Sequence, residues 1–374
     1  MVAERGMRIL VTGADGFIGK NLQVRLRERS GVEVLSFIRG DSLTRLANFV
    51  GQADAVIHLA GENRPTDEAD FARVNIDLTH TLCECIRDKG RATPFIFASS
   101  TQVGLDNPYG QSKRGAETVV EKFSAETLNP TTIYRLPGVF GKWCKPNYNS
   151  VVATFCHNIA RGLPTQVNDA ATKLSLVYID DLIDELLQAL HRKHLGAIWG
   201  SVAPQYAVSL GQLHDQILAF RNCRTTLMTE RVGVGLTRAL YATYVSYLPP
   251  EEFVYDLPRY SDARGVFVEM LKTPDSGQFS FFTVLPGITR GSHYHHSKTE
   301  KFLLIKGTAR MRFRQMKTGQ TFEVTVSGDK PQIVESIPGW VHDITNVGDS
   351  DAMVMLWANE VFDRQRPDCI PCEV

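Results

Sequence analysis

Three imidazoles and one carboxylate fall within the eight residues from His293 to Glu300, in the stretch "GSHYHHSKTEKF" (291–302). Histidine and glutamate at this density hold a metal or move protons. In an extended strand alternate side chains share a face. His293 and His295 are therefore expected on one side, His296 on the other, and Glu300 back on the inward side in the next strand. Downstream, "PGWVHDITN" adds His342. Together His293, His295, Glu300 and His342 suit a divalent transition metal with an open coordination position.

A different chemistry is written near the start. "VTGADGFIG" sets Gly13, Gly16 and Gly19 as G-x-x-G-x-x-G between a strand-like and a helix-like run. Glycines there allow a tight turn and let a pyrophosphate approach a helix N-terminus, where free N–H groups and the dipole favour anions. The turn carrying Gly13, Asp15, Gly16, Phe17, Ile18 and Gly19 is the expected dinucleotide site. The second strand ends "FIRGD". Arg39 arrives there before any acidic residue and suits a 2′-phosphate, which favours NADPH. Asp41, which could bind a ribose diol, keeps NADH as the less favoured alternative.

"NPYGQSK" places Tyr109 and Lys113 four apart, on one face of a helix. An ammonium beside a phenol lowers its pKa. Such a tyrosine can protonate a carbonyl oxygen during hydride transfer. Ser100, in "FASSTQV" at a strand end, can hydrogen-bond the same oxygen. Ser100, Tyr109 and Lys113 form the expected catalytic set.

These groups need two kinds of scaffold. Up to about residue 247, strand-like segments ("RILVTGA", "EVLSFIRG", "AVIHLAG", "PFIFASS", "TTIYRLPGVFG") alternate with helical spacing such as "KNLQVRLRERS". That alternation implies a doubly wound parallel sheet. From about Pro249 the segments become closely spaced and β-rich ("GVFVEMLK", "QFSFFTVLPG", "KFLLIKGTARMRFR", "TFEVTVSG", "DAMVMLWANEVF"), as in an antiparallel sandwich or barrel. The expected domains are 1–247 and 248–374.

A chain of 374 residues is long enough for two such cores. Lysine plus arginine balances aspartate plus glutamate at 41 each, so no electrostatic footprint for nucleic acid or an anionic membrane is present. No apolar run approaches the roughly 20 residues that span a bilayer. The charged start "MVAERGMRILVTG" is unlike a signal peptide. Seven scattered cysteines suggest reduced thiols, and with the missing leader they point to the cytoplasm. The terminal pair Cys369 and Cys372 has no second pair with which to hold zinc.

The first half resembles the extended short-chain dehydrogenases/reductases that act on nucleotide sugars. The resemblance runs over residues 7–245 and rests on "TGADGFIG", "HLAG", "RVNIDL", "FASS", "PYGQSK", "RLPGVFG" and "VYIDDL". It implies a Rossmann-type fold, the set Ser100, Tyr109 and Lys113, and a cofactor lined by His58, Leu59, Ala60, Gly61 and Asn75 as well as Tyr109 and Lys113. Members that dehydrate the sugar carry an acidic pair after the serine. Thr101 and Gln102 stand here instead, which argues against a 4,6-dehydratase. Gly138 replaces an asparagine found in many relatives. Residues 141–155, with Asn147, Tyr148 and Asn149, are expected to line the sugar-nucleotide cleft.

The second half, about 255–374, resembles a metal-binding cupin. Gly287, His293, His295, Glu300 and Gly307 keep the spacing of the first cupin motif, and Pro338, Gly339, His342 and Asn346 that of the second. The resemblance implies a small β-barrel holding a divalent ion, zinc as first choice. Arg264, Gly265, Phe267 and Glu269, with "TRGSHYHH", also resemble deoxysugar epimerases acting on nucleotide-linked 4-keto sugars, where the histidine matching His293 is a base and no metal is used. His293 is read here as a ligand. The base is left open among His296, Lys301 and Asp343.

The fusion resembles the bifunctional epimerase/reductases of bacterial capsule and O-antigen biosynthesis. That resemblance implies a UDP-linked 4-keto-6-deoxy-HexNAc substrate, UDP-2-acetamido-2,6-dideoxy-β-L-arabino-hexos-4-ulose. C-3 would be epimerised by the cupin and C-4 reduced with NADPH to the L-talo product, a precursor of UDP-N-acetyl-L-fucosamine. It also implies a homodimer. The alternative is a UDP-4-keto-sugar reductase whose cupin is a non-catalytic module.

Overall fold

The apolar run Ile9–Val11 is buried on both sides, as parallel strands require. It forms the middle of β1 (Met7–Thr12), flanked in the sheet by β2 (Val32–Phe37) and β3 (Ala55–His58). Beyond β3 follow β4 (Phe95–Ser100), β5 (Thr131–Leu136) and the strand Ala197–Gly200, all parallel. The chain runs from β1 outward to β2 and then returns to β3 on the other side. This reversal makes the carboxyl ends of β1 and β3 a topological switch point, where open α/β sheets bind ligands. This computed structural model describes residues 6–257, 259–262, 265–268, 271, 277–360 and 365–374, with the backbone alone at 259–262, 265–268 and 278.

Helices α1 (Phe17–Arg27), α2 (Leu43–Gln52), α3 (Leu78–Asp88) and α4 (Pro108–Thr127) accompany the sheet. The helix expected from "KNLQVRLRERS" begins earlier, at Phe17, because the glycine turn leads directly into it. Helix α4 starts where its sequence says it should. Asn107 accepts the Gly110 N–H at 2.8 Å, and Pro108 at the first turn needs no partner for a missing N–H. A π-helical turn, Phe71–Asp77, precedes α3.

The chain folds into two compact units with interleaved segments, 1–139 with 175–207 and 140–174 with 208–374. In the second unit the helices Val151–Ala160, Leu210–Thr226 and Gly235–Val245 pack on one another. Two antiparallel five-stranded sheets follow. One five-stranded sheet runs Val254–Asp256, Gln332–Ser336, Glu300–Lys306, Ala352–Ala358, Gln278–Val284. The other runs Thr321–Ser327, Thr308–Gln315, Trp340–Asn346, Thr289–Tyr294, Ile370–Pro371. Phe302, Leu304, Met311, Phe313, Ile344 and Val354 are buried in these sheets.

The expected class is borne out: a Rossmann-type parallel sheet with helices, followed by antiparallel all-β sheets of cupin type. The run "KFLLIKGTARMRFR" is two strands, split at Gly307. Arg264 and Glu269 of the epimerase-like segment lie outside the described residues. Among the described residues no helix is long and apolar enough to cross a membrane.

Candidate active site and metal centre

In the first unit, Gly13 turns the chain at the end of β1 with φ +66°. A Cβ on it would lie 2.7 Å from the Ala60 nitrogen, so this turn sits against the residues leaving β3. Asp15 and Gly16 are exposed, Phe17 and Ile18 half-buried, Gly19 buried. The N-cap Gly16 gives α1 no side-chain cap, and the first turn holds no acidic residue. Its N–H groups and dipole suit a diphosphate. Leu59 and Ala60 follow β3 and donate their N–H groups to the Thr12 carbonyl and hydroxyl, each at 3.2 Å.

Arg39 is largely exposed, and its guanidinium pairs with the buried carboxylate of Glu62. Burial opposes ionisation of Glu62, but Arg39 and the N–H groups of Arg64 and Asn63 hold its pKa below the ordinary carboxylate value. Asp41 is turned back on its own loop: it accepts the Ile38 N–H at 2.9 Å and lies 3.4 Å from the Arg45 guanidinium. Glu62 was missed in the sequence, although it directly follows "HLAG".

Asn75 is fully buried. Its amide oxygen accepts the Glu62 N–H at 2.8 Å, and its nitrogen donates to the Glu62 carbonyl and the Ser112 hydroxyl, each at 2.9 Å. It therefore clamps the loop after Gly61 to α4. A Cβ on Gly61 would sit 3.2 Å from the Asn75 amide oxygen and 3.7 Å from the Lys113 nitrogen. His58 braces the core: its ring nitrogens meet the hydroxyls of Thr12 at 2.6 Å and Thr79 at 2.9 Å, tying β3 to β1 and α3. Burial, then the charge of Lys113, pushes its pKa down to about 3.

Ser100 ends β4 and hydrogen-bonds Tyr109, which stands in the first turn of α4. Lys113, one turn on, is buried. Its ammonium donates to the Ala98 carbonyl at 2.8 Å and lies 5.0 Å from the Phe97 ring centre. Burial brings its pKa down to about 8, against the pull of Glu117. The expected lowering of the Tyr109 pKa is corrected here. Burial raises it, and the Ser100 hydrogen bond offsets that only in part. The Lys113 ammonium is directed at the Ala98 carbonyl, not at the phenol. A phenol held protonated is the form that can donate a proton to a ketone oxygen.

In the second unit, His293, His295, Glu300 and His342 bring one ligand atom each to within 4.8 Å of one another. His293 comes from Thr289–Tyr294, His295 from the turn beyond it, Glu300 from the start of Glu300–Lys306, and His342 from Trp340–Asn346. The Nε2 of His295 lies 3.0 Å and that of His342 3.5 Å from the same Glu300 oxygen. Burial, then His342 and His295, pushes the His293 pKa down to about 4. Burial also lowers that of His342. Burial opposes ionisation of Glu300, but His295 and His342 hold its pKa well below the ordinary value. His293 and His342 neutral beside an ionised carboxylate is the state in which such groups ligate. The donor set fits a divalent ion. A cavity of about 200 Å³ opens on His293, Glu300 and His342, walled by Phe282, Arg290 and Phe302.

Lys298 was missed, though it lies inside the quoted segment. Its buried ammonium is 3.2 Å from the other Glu300 oxygen. Asp368 had no local signal. Its carboxylate accepts the N–H groups of His296, Ser297 and Lys298. Lys301 is corrected as a base. It is fully buried and paired with Glu335, which, against burial, holds its pKa well above the ordinary value. Asp343 is bound by Arg312 through both oxygens, at 3.1 and 2.5 Å. His296 packs edge-on against Tyr294.

Residues 9–199, just over half the chain, match the NAD dependent epimerase/dehydratase family, and residues 260–370 match the polysaccharide biosynthesis C-terminal domain. The chain is 54% identical over 368 residues to UDP-2-acetamido-2,6-beta-L-arabino-hexul-4-ose reductase of Pseudomonas aeruginosa, covering 98% of this chain and 99% of that one. It is similar to the crystal structure of the capsular polysaccharide assembling protein CapF from Staphylococcus aureus, at 38% identity and TM-score 0.67, covering 98% of this chain and 100% of that one. A structure of CapF with the inhibitor 3-isopropenyl-tropolone matches at 35% identity and TM-score 0.62, with the same coverage. The chain belongs to the NAD dependent epimerase/dehydratase family, joined here to a polysaccharide biosynthesis C-terminal domain.

Proposed function

We propose that the chain is a two-activity nucleotide-sugar enzyme. Residues 1–247 would reduce the C-4 ketone of the C-3 epimer of UDP-2-acetamido-2,6-dideoxy-β-L-arabino-hexos-4-ulose. Residues 248–374 would epimerise C-3 before that reduction. The product is UDP-2-acetamido-2,6-dideoxy-β-L-talose, a precursor of UDP-N-acetyl-L-fucosamine. The proposed working form is a cytoplasmic homodimer.

One observation carries this reading. Two separate reactive groups, Ser100 with Tyr109 and Lys113, and the four-donor cluster, stand on a chain matching a UDP-4-keto-sugar reductase over 98% of its length. When bound, NADPH supplies a hydride, and a divalent ion, zinc as first choice, supplies Lewis acidity toward a ketone oxygen. The chain's own residues do the rest. Gly13, Asp15, Gly16, Phe17, Ile18 and Gly19, with Leu59, Ala60, Gly61 and Asn75, shape the cofactor cleft. Arg39 favours the 2′-phosphate. Ser100 orients the ketone, Tyr109 protonates its oxygen, and Lys113 supports the tyrosine. His293, His295, Glu300 and His342 hold the ion. A C–H bond beside a ketone is acidic, so C-3, next to the C-4 carbonyl, can be inverted while C-4 remains unreduced. A tropolone is a metal-chelating group, and its use as an inhibitor of the similar CapF supports a metal in this reading.

The test is proton NMR of the purified protein in D₂O with the UDP-4-keto sugar and no NADPH. Deuterium should enter at C-3, and chelation or His342→Ala should stop it. Reduction should follow when NADPH is added. Clean reduction without C-3 exchange would sink the epimerase and leave a ketoreductase with a non-catalytic cupin.

A further inference from the structure

We propose that residues 365–374 form a strap that presets two of the four donors, with Asp368 as its positioning residue. The inference rests on reading the cluster as a metal site.

Asp368 uses nearly every acceptor it has on one turn. One carboxylate oxygen accepts the His296 N–H at 2.8 Å. The other accepts the N–H groups of Ser297 at 2.8 Å and Lys298 at 2.7 Å, and the Ser297 hydroxyl at 3.1 Å. Its carbonyl accepts from the His295 Nδ1 at 2.5 Å. A carbonyl can only accept, so Nδ1 carries the proton. That leaves Nε2, the atom 3.0 Å from Glu300, as the ring nitrogen that would face a bound ion. This is the outer contact that fixes tautomer and ring orientation in metal-binding histidines.

The strap continues past Asp368. Pro371 and Ile370 pair with His293 and Tyr294, and the Cys372 N–H donates to the Ser292 carbonyl at 2.9 Å. Arg314 holds the end through the Glu373 carbonyl at 2.5 Å. Ser292 needs such support. It has φ +55°, beside a register shift between Gly291 and His293. A non-glycine residue in that region is strained, and bulges of this kind re-aim side chains. His293 is thus fixed through its backbone and His295 through its ring.

The test is Zn²⁺ affinity of the full-length protein, by competition with a chromophoric chelator, for wild type, Asp368→Ala, Asp368→Asn and His342→Ala. Asp368→Ala should bind Zn²⁺ about 10–100-fold more weakly, with NADPH binding unchanged. Asp368→Asn, which keeps one acceptor oxygen, should fall between. If Asp368→Ala does not fold, Asp368→Asn decides alone. Wild-type affinity in the folded Asp368 variants, with loss in His342→Ala, overturns the strap and leaves the metal reading standing. A wild-type protein that takes up no Zn²⁺ overturns the metal reading, and the strap's role in ligation with it.

Discussion

The Trp143 indole rests on the backbone of Gly339. A Cβ at residue 339 would come within 2.7 Å of the Trp143 Cζ2. Gly339 has φ +79°, donates its N–H to the His295 carbonyl at 2.9 Å and accepts from the Met316 N–H at 3.0 Å. The turn under the tryptophan therefore braces one proposed metal ligand directly and leads into another, His342.

Gly339→Ala should be destabilising by about 1–3 kcal/mol, because a left-handed φ and an overlap act together. It should also weaken Zn²⁺ binding. Adding Trp143→Ala removes the overlap but leaves the φ. Chemical denaturation of the single and double variants should give a total smaller than the sum of the two losses. Strict additivity would mean that the indole and the turn are not coupled.

Much of this was legible because it is local. Turn, strand and helix signals placed Gly13, Ser100 and Tyr109 where the sheet presents them. Strand periodicity brought His293 and His295 together, although His295 lies just beyond the strand Thr289–Tyr294. Glu62, Asp368 and Glu335 were not legible as structural groups. A sequence shows a charge, but not its burial or a partner far along the chain. The change of grammar near Pro249 marks where helices give way to strands. It does not mark where packing divides, since residues 140–174 and 208–247 belong to the barrel's compact unit.

Tyr109→Phe removes only the hydroxyl that Ser100 holds. Steady-state reduction of the UDP-4-keto sugar should fall by about 10²–10⁴-fold, the usual contribution of a positioned acid. NADPH binding, followed by fluorescence, should be unchanged. Near-normal turnover would remove Tyr109 from the proton-transfer role.

Cofactor preference should respond to the pair Arg39 and Glu62. Arg39→Ala should weaken NADPH by about tenfold, the scale of one charge-assisted hydrogen bond, and leave NADH nearly unchanged. Glu62→Gln removes the carboxylate that competes for the guanidinium and should tighten NADPH. Titration of both cofactors checks this. Equal weakening of NADPH and NADH by Arg39→Ala would assign Arg39 a structural role instead.

Glu335 faces two cations at once. It lies opposite Lys301 in the antiparallel pair of Glu300–Lys306 with Gln332–Ser336, and it pairs with Arg224 of the helix Leu210–Thr226. Strand alternation puts Glu300 toward the cavity and Lys301 on the opposite face. Burial opposes ionisation of Glu335, but Arg224 and Lys301 outweigh it and hold its pKa below the ordinary value. Glu335→Gln leaves the buried Lys301 without a carboxylate and Arg224 with only the exposed Glu252, and should be destabilising by about 3–5 kcal/mol at neutral pH. The sign with pH follows from the lowered pKa. The carboxylate stabilises the fold above its unfolded pKa of about 4.3, and this is lost as pH falls through the folded value. The gap between wild type and Glu335→Gln in urea unfolding should therefore stay wide near pH 7 and narrow only in acid below about pH 4. A gap that is small at neutral pH would mean that Arg224 and Lys301 are solvated enough to stand without their partner.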